Sequence, residues 1–138
     1  AALGISQLQK LDTFLQKRLE IVKFYNSCLS DLPLSKPTLK TDRSSSWHLY
    51  IIRIDSKNIN KTHHEIFTSL RRSGIGVNLH YIPIYKHPFY QSNGFEGYYL
   101  PESELFYSEA ISLPIHTKLD SSDLHYIYSE LKNVISTN

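Results

Sequence analysis

The run Gly76-Val77-Asn78-Leu79-His80-Tyr81-Ile82-Pro83-Ile84-Tyr85 gathers an amide, an imidazole and a phenol next to a proline. Those groups can donate hydrogen bonds to ligand oxygens, and a tyrosine ring can also stack on a flat face. Val77 and Leu79 alternate with Asn78 and His80, which predicts a strand over Val77–Ile82 with one buried face. Pro83 has no N–H for a ladder, so pairing should fade there. A strand end that presents Asn78, Leu79, His80 and Tyr81 beside a loop is a place where a scaffold holds a ligand. A plainer reading has one of His80 and Tyr81 packed inward and the other in solvent. The spacing leaves both readings open and does not name the ligand.

Other chemistry is poorly supported. Seven histidines invite a metal, but His63 and His64 are adjacent and cannot share a helix face. His80 and His87 straddle a proline loop with no Cys or carboxylate at ligand spacing. No metal is expected. Cys28 has no His or Asn in a nucleophile's order, and reads as a small half-buried hydrophobe. The serines lack a nucleophile elbow. Five glycines form neither a GxGxxG nor a Walker loop. Arg71-Arg72 suits the negative end of a helix better than a basic patch. The tyrosines at 85, 90, 98 and 99 lack interleaved Lys or Arg, so no nucleic acid is expected as a partner.

What must position the cluster is a single domain. A chain of 138 residues, 41% apolar and 20% charged, can bury a sizeable core. Net charge is +2, too small to argue for nucleic acid or an anionic membrane. No apolar run approaches the ~18 residues of a membrane span. The N-terminus enters an amphipathic repeat at once and does not read as a signal peptide. One cysteine fits a reducing cytoplasm. Methionine is missing even at position 1, so a processed or cut chain is expected.

Leu8, Leu11, Leu15, Leu19, Val22, Tyr25 and Leu29 recur at steps of three and four. They predict a long N-terminal helix over residues 1–31, ended by Pro33 and Pro37. A helix that long commonly packs on more than its own sheet. Trp47–Asp55 predicts a strand, with a weak edge at Thr38–Lys40. Thr62-His63-His64-Glu65 is a capping box opening a helix, and Gly74 closes it in a left-handed cap. Residues 86–100 read as an irregular loop. Pro101-Glu102-Ser103-Glu104 opens a further helix. Ile111–Ile115 is an apolar link or edge strand, and Asp120 caps a last helix facing inward through Leu124, Ile127, Leu131 and Val134. The expected class is α+β, a small antiparallel sheet covered by helices on one face.

Four segments together resemble one family. Ala1-Ala2-Leu3-Gly4-Ile5-Ser6-Gln7-Leu8-Gln9-Lys10-Leu11-Asp12 resembles the AALG…QL.KLD helix of the DegT/StrS sugar aminotransferases. Trp47-His48-Leu49-Tyr50 is similar to their WHLY strand, and Gly74–Pro83 to their G-I-x-V-x-x-HY-x-P segment. Leu113-Pro114 with Asp120-Ser121-Ser122-Asp123 resembles the stretch before their last helix. The order holds over almost the whole chain. The resemblance implies the C-terminal domain of a fold type I pyridoxal-phosphate enzyme, which moves an amino group from glutamate to a keto sugar on a nucleotide. The pattern from His80 to Tyr90 leans toward members that act on a UDP-4-keto-6-deoxy-N-acetylhexosamine, for surface polysaccharide or flagellin glycan.

The Schiff-base lysine of the family precedes a Gly-Glu-Gly-Gly segment. None of the ten lysines here has that context, which implies that lysine and most cofactor contacts lie in a missing N-terminal large domain. By the same resemblance a homodimer is expected, this chain alone is inactive, and Asn78, Leu79, His80 and Tyr81 touch substrate. The alternative is a non-catalytic sugar-nucleotide-binding or regulatory module.

Overall fold

The computed structural model describes residues 1–55 and 57–136. Helices α1 (Ala2–Leu8) and α2 (Leu11–Cys28) lead into the strands β1 (Leu34–Ser35) and β2 (Tyr50–Ile54). Helix α3 (His63–Arg72) follows, then a one-turn α4 (Pro88–Tyr90) and α5 (Pro101–Glu109). Strand β3 (Ala110–Leu113) and helix α6 (Ser121–Ser136) complete the order. The sheet runs β1-β2-β3 and both pairings are antiparallel. The expected α+β class is the observed one.

The register follows from the pleat. Along β2, Tyr50, Ile52 and Ile54 are buried, while Ile51 and Arg53 between them are half-buried. Ile52 lies opposite Ile111 and Tyr50 opposite Leu113, so these four share the core face. The core adds Ile21, Val22, Tyr25 and Leu29 of α2, Ile66 and Leu70 of α3, and Leu124, Ile127, Leu131 and Ile135 of α6. Burying each such side chain contributes roughly 1.5–3 kcal/mol. The Tyr25 hydroxyl donates to the Pro114 carbonyl at 2.9 Å, tying α2 to the end of β3. Burial drives the Tyr25 phenol far above its usual range, so the donor stays protonated. On the far face Arg53 donates to Glu109 at 2.7 and 2.9 Å and lies over the Phe106 ring, which seats α5 there.

Local signals explain the helix ends. Thr62 and Glu65 form the expected capping box: Thr62 Oγ1 accepts from the Glu65 N–H, and the Glu65 carboxylate accepts from the Thr62 N–H at 2.7 Å. At the other end the Ile75 N–H reaches the Leu70 carbonyl and the Gly74 N–H reaches Arg71, with Gly74 at φ +77°. That is a Schellman closure, and buried Ile75 is its apolar lock. Asp120 caps α6: its Oδ1 accepts from the Asp123 N–H at 2.9 Å, and the Asp123 carboxylate accepts from the Asp120 N–H at 3.0 Å.

Four expectations need correction. The N-terminal helix is not continuous over residues 1–31. It breaks at Gln9-Lys10, where the Lys10 N–H bonds the Gln7 carbonyl in a tighter turn. Helix α1 buries none of its side chains, so no packing holds it in line with α2. The edge strand is Leu34–Ser35 rather than Thr38–Lys40, because Pro37 cannot extend that pairing. Strand β2 begins at Tyr50, not Trp47, since Trp47 sits at φ +49° and turns its ring inward beside Tyr50.

The fourth correction concerns the strand expected over Val77–Ile82. It shrinks to one bridge, Asn78 opposite Ser112. Its donors are diverted: the Val77 N–H bonds Ile75 and the Leu79 N–H bonds Asn78 Oδ1 at 2.9 Å. The facing positions on β3 are also closed. Pro114 has no N–H, and the Ala110 carbonyl accepts from the His63 ring at 2.9 Å.

Candidate functional site

The four residues singled out above lie along the outer edge of β3. The Asn78 N–H donates to the Ser112 carbonyl at 3.2 Å, and the Ser112 N–H returns to Asn78 at 2.8 Å. Leu79 is half-buried beside it. His80 is half-buried and its Nδ1 is 2.8 Å from the Ser112 hydroxyl. The His80-Tyr81 peptide bond is cis. Tyr81 is 66% exposed, and its ring stacks on His87 at 5.6 Å and 29°. The structure therefore brings Asn78 and His80 together on Ser112 and sends Tyr81 outward. This is the inward–outward split that the His80-Tyr81 pair allowed.

The loop that follows is held by a carboxylate. Buried Tyr85 donates to Glu104 Oε1 at 2.7 Å, and Lys86 donates to Glu104 Oε2. Hydrogen bonds from Lys86 and then Tyr85 hold the Glu104 carboxyl below its usual range. The bond to Glu104 holds the Lys86 ammonium above its usual range. Burial, then the contact with Glu104, raises the Tyr85 phenol. The Tyr85 oxygen also accepts from the Leu100 N–H at 3.3 Å, which closes residues 85–100 into one loop. Within it the rings of Phe89, Tyr90, Phe95 and Tyr98 meet in sequence at 5.4, 5.9 and 5.2 Å. Phe89, Tyr98 and Tyr99 remain mostly exposed.

Sequence reasoning missed Ser112 and Glu104. Ser112 had a signal, as the one polar residue inside the apolar run from Ile111 to Leu113. Glu104 stands in the sequence only as part of the segment that opens α5, and its link to Tyr85 crosses a loop. A cavity of about 380 Å³ opens just upstream, lined by Gly74, Ile75, Gly76, Pro114, His116 and Tyr126 among others; Asn78, Leu79, His80 and Tyr81 are not in its wall. Among the described residues no group of three His, Cys, Asp or Glu could hold a metal ion. No described helix is long and apolar enough to cross a membrane.

The model of the DegT/DnrJ/EryC1/StrS aminotransferase family matches residues 1–132. The chain belongs to that family. Among solved structures of the family's kind, PseC of Helicobacter pylori, an aminotransferase involved in the biosynthesis of pseudoaminic acid, superposes with a TM-score of 0.87 at 35% identity, over 97% of this chain and 36% of its own. Spr1654 of Streptococcus pneumoniae, assigned as a sugar aminotransferase, gives 0.85 at 33% identity over 96% of this chain and 33% of its own. It has been solved in apo, PLP and PMP forms. The spore coat polysaccharide biosynthesis protein SpsC of Bacillus subtilis is 30% identical over 98% of this chain and 36% of its own. The chain spans about a third of the length of the relatives it matches.

Proposed function

We propose that residues 1–138 are the C-terminal domain of a cytoplasmic pyridoxal-phosphate aminotransferase. It transfers an amino group from glutamate to a nucleotide-linked keto sugar, with UDP-4-keto-6-deoxy-N-acetylhexosamine as the favoured acceptor. The observation that carries this reading is the family match across nearly the whole chain, with the His80-Tyr81 turn on the outer edge of β3. The likeness to PseC favours the acceptor.

The residues of this chain do not fit the imine that binds the cofactor. None of the ten lysines precedes a Gly-Glu-Gly-Gly segment, and Lys86, the lysine of the candidate loop, is bound to Glu104, which favours its charged form. The imine lysine belongs instead to the large domain of the intact enzyme. What this chain does is bind and orient. Tyr81 stacks on the hexose and hydrogen-bonds through its hydroxyl, while Asn78 and His80 donate to sugar or diphosphate oxygens. Leu79 supplies apolar contact beside them.

The exposed side chains of Leu3, Ile5, Leu8, Leu11 and Leu19 along α1 and α2 form the face that the rest of the homodimeric enzyme covers. The test uses the intact enzyme, loaded with cofactor and assayed with glutamate and the UDP-keto sugar. Tyr81→Ala raises the sugar KM about tenfold, the loss of roughly 1.4 kcal/mol of stacking and hydrogen bonding, and leaves cofactor absorbance unchanged. Unchanged sugar kinetics would remove Tyr81 from the site. Binding of the UDP-sugar with no amino transfer would make the protein a non-catalytic module.

A further inference from the structure

Ser112 stands apart from the core around it. Among the described residues, tyrosine and tryptophan aside, it is the one buried polar side chain, 4% exposed, between buried Ile111 and Leu113. Its backbone N–H and carbonyl are both used by Asn78. Its hydroxyl has one partner among the described residues, His80 Nδ1 at 2.8 Å. A buried hydroxyl hydrogen needs an acceptor, and leaving it unpaired costs more than leaving one of two oxygen lone pairs unused. Nδ1 is the acceptor within reach, and an Nδ1 that accepts leaves the proton of the neutral ring on Nε2.

His63 offers a contrast on the same strand edge. Its Nε2 faces the Ala110 carbonyl, which can only accept, so the Nε2 proton of His63 is consumed inside the fold. His80 Nε2 has no partner among the described residues.

We propose that Ser112 is a positioning residue for His80. Its hydroxyl donates to Nδ1, fixes the Nε2–H tautomer, and leaves that N–H as a donor for an acceptor oxygen of the nucleotide sugar. The inference rests on the reading of His80 as a substrate contact.

The test uses the full-length enzyme labelled with ¹⁵N-histidine. The His80 signal is the one lost in His80→Gln. At pH 8 the wild-type ring shows a protonated Nε2 and a bare Nδ1. Ser112→Ala makes the ring average between tautomers, and Ser112→Thr, which keeps a hydroxyl, restores the single form. In steady-state assays Ser112→Ala raises the sugar KM about fivefold, the worth of one neutral hydrogen bond, with kcat within twofold. The same change in a His80→Gln background has no further effect on KM.

A protonated Nδ1 in the wild-type enzyme overturns the inference, and that spectrum needs no variant to fold. Additive KM effects of Ser112→Ala and His80→Gln overturn it as well, since they give Ser112 a role independent of the ring. If the tautomer is as stated but His80→Gln leaves sugar kinetics untouched, the substrate role of His80 falls, and with it the donor role claimed for Nε2.

Discussion

Two glycines, two positions apart, should respond to the same substitution with opposite signs. Gly74 closes α3 at φ +77°, and a Cβ built there meets nothing within 4 Å. Gly76, next to the Asn78 bridge, has equal room and no left-handed backbone. Sterics are therefore absent from both, and conformation alone decides. Alanine at Gly74 pays roughly 1–2 kcal/mol for the left-handed region. It recovers about 0.4–1 kcal/mol from a less flexible unfolded chain. The net loss is about 1 kcal/mol. Alanine at Gly76 keeps only the second effect and stabilises by about 0.4–1 kcal/mol. Urea unfolding of residues 1–138, followed by the emission of the single, buried Trp47, reads both. With a slope of roughly 2 kcal/mol/M the midpoint falls about 0.5 M for Gly74→Ala and rises about 0.3 M for Gly76→Ala. Shifts of the same sign would refute the assignment of the Schellman closure to Gly74.

Thr62→Ala removes the oxygen that meets the Glu65 N–H, and should cost about 1 kcal/mol, read as a lower urea midpoint with unchanged slope. The Tyr85–Glu104–Lys86 cluster sets a pH dependence. The folded Glu104 carboxyl titrates below its ordinary 4.5, so its anchoring is complete above that pH and is lost as pH falls through the lower folded value. Amide exchange in residues 85–100 should accelerate over that acid window in the wild type, and Glu104→Gln should exchange fast at neutral pH with no such step. An acid step of equal size in Glu104→Gln would remove the carboxylate from the explanation. The Tyr81→Ala kinetics and the Ser112–His80 tautomer described above complete the set.

Much of the fold was legible because it is written in local chemistry. The capping box at Thr62, the cap at Asp120 and the glycine closure at Gly74 each involve residues within six positions, and each formed as expected. The inward face of α6 was legible from periodicity as far as Leu124, Ile127 and Leu131, which are buried; at the end of the helix Val134 is half-buried and Ile135 is buried in its place. The same signal overreached in the first helix. Leu8, Leu11 and Leu19 share the apolar stripe with Val22 and Tyr25, yet are exposed, because the stripe continues past the surface this chain can cover. The strand expected at Val77–Ile82 failed for a non-local reason. Its period-two pattern is real, but its would-be partner on β3 offers a proline at one end and a carbonyl already taken by His63 at the other.

By itself, then, the order of residues determined the α+β class, both ends of α3, the starts of α5 and α6, and the membership of Asn78, Leu79, His80 and Tyr81 in one segment. Those are matters of propensity, capping and spacing along a few residues of chain. Only the tertiary structure decided that Ser112, thirty-two positions away, would hydrogen-bond the His80 ring, and that Glu104 would clasp Tyr85 and Lys86. Contacts of that kind depend on which strand edges face each other and which donors are already spent, and no local pattern records either.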